Sequence, residues 1–155
     1  MSEISPSLRT GVKSIDIEHA QLMAFQRRLA DFCPRGLANL SCDCDESTRS
    51  ACNESITDLF SDILVFMVDH FRHEEQLMRG LATDHVVDHR QAHEDISLRF
   101  SMLADRKVAA PLLVSPAELS EIVGHWLTEH IVEWDMVLAA KLFERGDVAA
   151  PPTVR

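Results

Sequence analysis

The stretch from Asn53 to Arg79, NESITDLFSDILVFMVDHFRHEEQLMR, decides the fold. Its apolar positions include Ile56, Leu59, Phe60, Ile63, Leu64, Met67, Phe71 and Met78. They fall at helical spacing, as on the buried side of an amphipathic helix. Within that helix His70 and Glu74 stand four residues apart, so they are neighbours on one face, about 6 Å apart along the axis. Gly80 follows as a suitable C-cap residue.

Three more helical segments lie around this one, and nothing reads as strand. The first runs from about Ile15 to Phe32, with Leu22, Phe25, Leu29 and Phe32 at three- and four-residue steps. Pro34 and Gly36 stop it. From Cys33 to about Arg49 the chain turns polar and reads as a long loop. The third segment starts near Asp84, a good N-cap, and reaches about Asp105, with Pro111 in the linker that follows. The fourth opens on Ser115-Pro116-Ala117-Glu118, a capping box with Pro at the first helical position. It continues to about Arg145, with Gly146 after it, and the tail around Pro151 and Pro152 is expected to fray. Four helices with mostly short connections predict an all-α protein, an antiparallel up-down-up-down four-helix bundle. No repeat or linker divides the chain, so residues 1–155 are expected to form one domain with its core at about 11–145.

Composition narrows the partners. A net charge of −10 repels nucleic-acid phosphates and anionic lipid, so neither is expected as a partner. No run of about 20 apolar residues is present, so no membrane span is expected. The N-terminus, MSEISPSLRT, lacks a basic start followed by an apolar segment, which points to a cytoplasmic protein without a secretory signal. The cysteines Cys33, Cys42, Cys44 and Cys52 crowd into the first inter-helix connection, about 33–52. In that compartment a permanent disulfide framework is the weaker reading.

The chemistry lies in seven residues spread over the four segments: His19, then His70 with Glu74, then His89 with His93, then His130 with Asp135. A single histidine on an apolar helix face is more often a hydrogen-bonded core residue than a ligand. Seven imidazoles and carboxylates on or beside apolar stripes are different, because burying them without partners is costly. Five nitrogens and two carboxylates suit a pair of non-haem iron ions in the bundle core. His89 and His93 stand four apart and can converge on one ion. Glu74 has two oxygens and can bridge two ions. His130 and Asp135 are five apart, roughly 140° around a regular helix, which suits a helix edge that straddles two metals.

Other metal readings fit less well. A zinc-protease helix needs His-Glu-x-x-His, and His73-Glu74 is followed by Leu77 where the second His should stand. Ferritin-like di-iron proteins use Glu-x-x-His, and no His here has Glu three residues before it. His73, His85 and His125 fall outside the pattern and are read as surface or supporting residues. Spacing alone would also allow His85 to pair with His89, but His85 falls in the first turn, close to solvent.

Ile15-Asp16-Ile17-Glu18-His19, His70-Phe71-Arg72-His73-Glu74-Glu75-Gln76-Leu77-Met78, His89-x-x-x-His93 and Trp126-Leu127-x-x-His130-Ile131-x-x-x-Asp135 together resemble the hemerythrin family, specifically its single-domain bacterial members. The resemblance covers roughly Gly11 to Phe143, and the motifs are specific as an ordered set. It implies that His89, His93 and His130 bind one iron, that His19 and His70 bind the other, and that Glu74 and Asp135 bridge them together with an oxo or hydroxo group. One position on the second iron is then open to dioxygen. Leu22, Phe71, Trp126, Leu127 and Ile131 match positions that line the family's oxygen pocket, and they also suit ordinary core packing. Two departures stand out: Glu18 replaces the Gln that usually precedes the first His, and the cysteine-rich connection has no counterpart in the family pattern. That connection is either a tolerated loop or, given Cys42-x-Cys44, a thiol switch or accessory metal clip.

The function implied is reversible dioxygen binding by a monomer, for storage, delivery or supply. None of these side chains is an obvious acid catalyst, which favours binding over turnover. The alternatives are an oxygen, redox or nitric oxide sensor acting through a separate protein partner, or a peroxidase or nitric oxide-reducing enzyme on the same centre.

Overall fold

All regular structure is helical in the computed structural model, which describes residues 4–31, 45–81, 83–109 and 116–148. A 3-10 turn at Pro6–Leu8 precedes α1 (Lys13–Asp31), α2 (Glu46–Leu77), α3 (Thr83–Ala109) and α4 (Pro116–His130). A π-helical turn, Ile131–Asp135, then leads directly into α5 (Met136–Arg145). Helix α1 packs on α2 and α4, and α2 packs on α3.

Local chemistry sets the helix ends. The Asp16 carboxylate accepts hydrogen bonds from the Thr10 N–H and hydroxyl at 2.7 and 2.8 Å and from the Gly11 N–H at 3.1 Å, which ties down the approach to α1. Asp45 caps α2 by accepting from the Thr48 N–H at 2.8 Å. At its other end, Arg145 donates to the carbonyls of Leu77 and Arg79, two acceptors that the helix itself leaves unsatisfied. Gly146, at φ +79°, closes α5 in the left-handed conformation that favours glycine.

Several boundaries differ from the sequence reading. Helix α2 starts at Glu46, not near Asn53, because Asp45 caps it and the polar run that follows is a solvent-exposed helical turn. Cys52 therefore lies on α2 rather than in a loop, half-buried against the core. Asp84 sits inside the first turn of α3 instead of capping it, and α3 continues to Ala109 rather than stopping near Asp105. The fourth segment is interrupted by the π turn. Phe32, Cys33, Cys42, Cys44, Pro111 and Ser115 lie outside the described residues.

The core has two apolar parts. The larger includes Leu22, Phe60, Ile63, Met67, Phe71, Phe100, Trp126, Leu127 and Ile131. The smaller holds Val12, Ile15, Met78, Leu138, Ala139 and Leu142, with Val86 packed against it. Burying one such side chain stabilises the fold by roughly 1.5–3 kcal/mol. The polar side chains fall between these parts on every helix. His19 separates Ile15 from Leu22, and Glu74 separates Phe71 from Met78. His89 and His93 separate Val86 from Ile96, and Asp135 separates Ile131 from Leu138. Among the described residues, no helix is long and apolar enough to cross a membrane.

Candidate metal centre

The seven residues singled out by spacing meet in one place, and all are buried: His19, Glu74, His89 and Asp135 are 0% exposed, and His70, His93 and His130 at most 2%. They form two groups that share Glu74. Glu74, His89, His93 and His130 make one, and His19, His70, Glu74 and Asp135 the other, with the contributing atoms of each group within 4.8 Å of one another. Asp135 also touches both. Its Oδ1 lies 3.2 Å from His89 Nε2 and from His130 Nε2, and its Oδ2 lies 3.0 Å from His19 Nε2.

The π turn makes this possible. On a regular helix residues five apart point in different directions, whereas the i to i+5 pattern of a π turn stacks them on one face. The Met136 N–H bonds to the Ile131 carbonyl in that pattern. His130 and Asp135, at the two ends of the turn, therefore face the same site. This corrects the expectation of a pair splayed around a helix edge.

The atoms converge on shared points more than on each other. His19 Nδ1 and Nε2, His70 Nε2, Glu74 Oε1 and both Asp135 oxygens are buried without a hydrogen bond, although His19 Nε2 and Asp135 Oδ2 are only 3.0 Å apart. Buried polar atoms are normally hydrogen-bonded, so this concentration of orphans is unusual. Two ligands at right angles, each about 2.1 Å from an ion, are about 3.0 Å apart, the spacing seen here. The donor set therefore fits metal ions.

Supporting contacts surround the cluster. His70 Nδ1 bonds to Glu18 Oε2 at 2.8 Å, and His73 Nδ1 lies 2.8 Å from Glu18 Oε1. His93 Nδ1 makes a longer contact, 3.5 Å, with Glu75, whose other oxygen pairs with Arg90 at 3.2 Å. Trp134 stacks on His85 and His89. The roles of Glu75, Arg90 and Trp134 were not legible in the sequence, because charged or aromatic residues at helix surfaces carry no mark of their tertiary neighbour. His73 and His85 are partly buried beside the cluster, while His125 is 73% exposed and pairs with Glu129, as expected of residues outside the pattern. The structure does not bring Cys52 to the centre: it is 18 residues from His70 on the same helix, roughly 27 Å along its axis.

The electrostatics follow from burial. Burial pushes the pKa of His89 down to about 4 and, helped by the neighbouring His89 and His130, that of His93 to about 2. Burial also acts on His130, but the close-lying carboxylates of Asp135 and Glu74 outweigh it and raise that ring to about 9. Burial and the Asp135 charge push Glu74 well up, whereas the close-lying His130, His19 and His89 rings hold Asp135 well down despite its burial. Burial likewise opposes ionisation of Glu18, but the His70 and His73 rings outweigh it, so its pKa is lowered.

These shifts predict how the metal-free protein responds to pH. His89 and His93 are depressed below the unfolded value of about 6.5, so their contribution is complete above that pH and is lost as pH falls toward 4 and then 2. His130 is raised, so its contribution is complete below about 6.5 and is lost as pH rises through 9. Denaturation midpoints measured with chelator present should fall steadily from pH 6.5 to 4. A flat profile over that range would show that these rings are not buried as neutral groups.

The family comparison agrees with the geometry. The profile of the Hemerythrin HHE cation binding domain matches residues 10–142. The chain belongs to the hemerythrin family. It is also 32% identical over 91 residues to a protein named Bacteriohemerythrin from Aquifex aeolicus (strain VF5), an alignment covering 57% of this chain and 69% of that one. No solved structure gives a significant match. The family's description as a cation-binding domain is compatible with the paired groups of buried ligand-type side chains.

Proposed function

We propose that this hemerythrin-family chain binds dioxygen reversibly at two iron ions held in the core of an antiparallel up-down-up-down bundle. The alternating order of the two apolar parts along successive helices supports that topology. The larger part follows the ligands on α1 and α3, and its Met67 and Leu127 precede them on α2 and α4.

The observation that carries the reading is the unequal split of nitrogens around two shared carboxylates. His89, His93 and His130 would hold one iron, His19 and His70 the other, and Glu74 and Asp135 lie where they could serve both. The ion with fewer histidines would be the one left with room for an outside ligand. When bound, the irons supply the two electrons and the open position that dioxygen needs. The protein holds the remaining positions filled and keeps water away. Leu22, Phe71, Leu127 and Ile131 are at most 4% exposed and would form an apolar wall. Trp126 completes it, and its indole N–H is buried without a partner among the described residues.

An optical oxygen cycle tests the reading. After anaerobic loading to two irons per chain, the protein should be colourless, gain colour with oxygen and bleach under inert gas. Colour that inert gas cannot reverse would argue for oxidation or turnover and against a carrier.

A further inference from the structure

We infer that Glu18 is a positioning residue for the two-histidine iron, orienting His70 and making it a stronger electron donor through the carboxylate charge. This rests on the ligand assignment proposed above. The five imidazoles are not supported alike. His19, His89 and His130 have no hydrogen bond at Nδ1, and the His93 Nδ1 contact with Glu75 is long at 3.5 Å. Of their Nδ1 atoms, only that of His70 has a short bond to a carboxylate, 2.8 Å to Glu18 Oε2.

That bond fixes the His70 tautomer. With the proton on Nδ1 donated to Glu18, the Nε2 lone pair faces the cluster, where it is buried and otherwise unpartnered. A carboxylate on the far nitrogen also draws that proton toward itself and enriches the ring in electrons, which raises its basicity as a ligand. Glu18 is itself held. Its second oxygen lies 2.8 Å from His73 Nδ1, and His73 sits three residues after His70 on the same helix. One side chain from α1 is thus pinned between two rings of α2, with Glu18 only 24% exposed. The negative charge falls on the iron with the vacant position, where electron density matters most for oxygen.

The test compares wild type with Glu18→Ala and Glu18→Gln, reading iron affinity and midpoint potential, with circular dichroism of the metal-free forms confirming equal helicity. Glu18→Ala should weaken iron binding by about 10–100-fold, so that at a free ferrous concentration just sufficient to saturate wild type the content drops below two per chain. In Glu18→Gln the amide oxygen still accepts from His70, so two irons should be retained, but with the charge gone the midpoint potential should rise above that of wild type. Wild-type iron affinity in Glu18→Ala, or a wild-type potential in Glu18→Gln, would overturn the inference. Failure of the unmodified protein to take up two irons would instead overturn the ligand assignment on which it rests.

Discussion

Replacing Glu74 by Ala is expected to empty both proposed iron positions at once. Glu74 is the carboxylate common to both ligand groups, and its Oε2 lies 3.2, 3.7 and 3.8 Å from the Nε2 atoms of His93, His89 and His130. Its other oxygen is 3.6 Å from His70 Nε2. No described neighbour can take its place, because the only other acid in both groups' reach, Asp135, is already engaged by His19, His89 and His130. Iron per chain should fall from two to near zero.

The cost in stability belongs to the loaded protein. Iron at a thousand times its dissociation constant contributes about 4 kcal/mol of folding free energy, which corresponds to roughly 10 °C in a domain of this size. The melting midpoint of Glu74→Ala with iron present should therefore lie roughly 10 °C below that of wild type. With chelator present the two should differ far less, because the metal-free chain gains nothing from a buried acid whose ionisation is opposed by burial and by Asp135. His125→Ala removes an exposed ring from the same bundle and should retain both irons. Two irons per chain in Glu74→Ala would refute the assignment of Glu74.

Phe71→Ala is expected to damage the fold and the oxygen chemistry together. The ring is 4% exposed and stacks on His93 at 4.0 Å between centroids, with its planes 12° from parallel. It also meets Trp126 edge-on at 5.8 Å and lies within 6 Å of the His70 and His130 rings. Truncation leaves a cavity beside three of the five imidazoles, at a cost of about 3–5 kcal/mol, or roughly 10 °C in melting midpoint. That cavity also opens the apolar wall to water, so the ferrous protein should oxidise irreversibly in air faster than wild type. Phe71→Leu fills most of the space and should recover most of the stability and part of the reversibility. An oxygenated form as long-lived in Phe71→Ala as in wild type would show that Phe71 is not part of the pocket wall.

Much of this was legible in the chain because helices translate spacing into facing. His70 with Glu74 and His89 with His93 are four apart, and four residues bring two side chains onto one face whatever the rest of the fold does. The apolar stripe of α1 runs through Ile15, Leu22, Phe25 and Leu29, and His19 lies in it, so its burial was readable too. Boundaries were less legible. The polar run before Asn53 forms helix because Asp45 caps it, although composition alone describes it equally well as loop. His130 and Asp135 were harder again, since a five-residue spacing on a regular helix separates them.

The sequence by itself determined that the chain is helical, that seven ligand-type side chains ride on buried faces, and that nitrogen outnumbers carboxylate among them. Those properties depend on residue type and on intervals of three or four, which act locally. Only the tertiary structure decided which of these side chains meet. The π turn turns Asp135 toward His130, the packing of α1 on α2 sets Glu18 against His70, and the meeting of the helices puts Glu74 in both groups. Each of these contacts joins residues whose separation along the chain, or whose local winding, no regular periodicity specifies. They form because the two apolar parts of the core close around the polar layer and leave its atoms only one another, or a metal, to face.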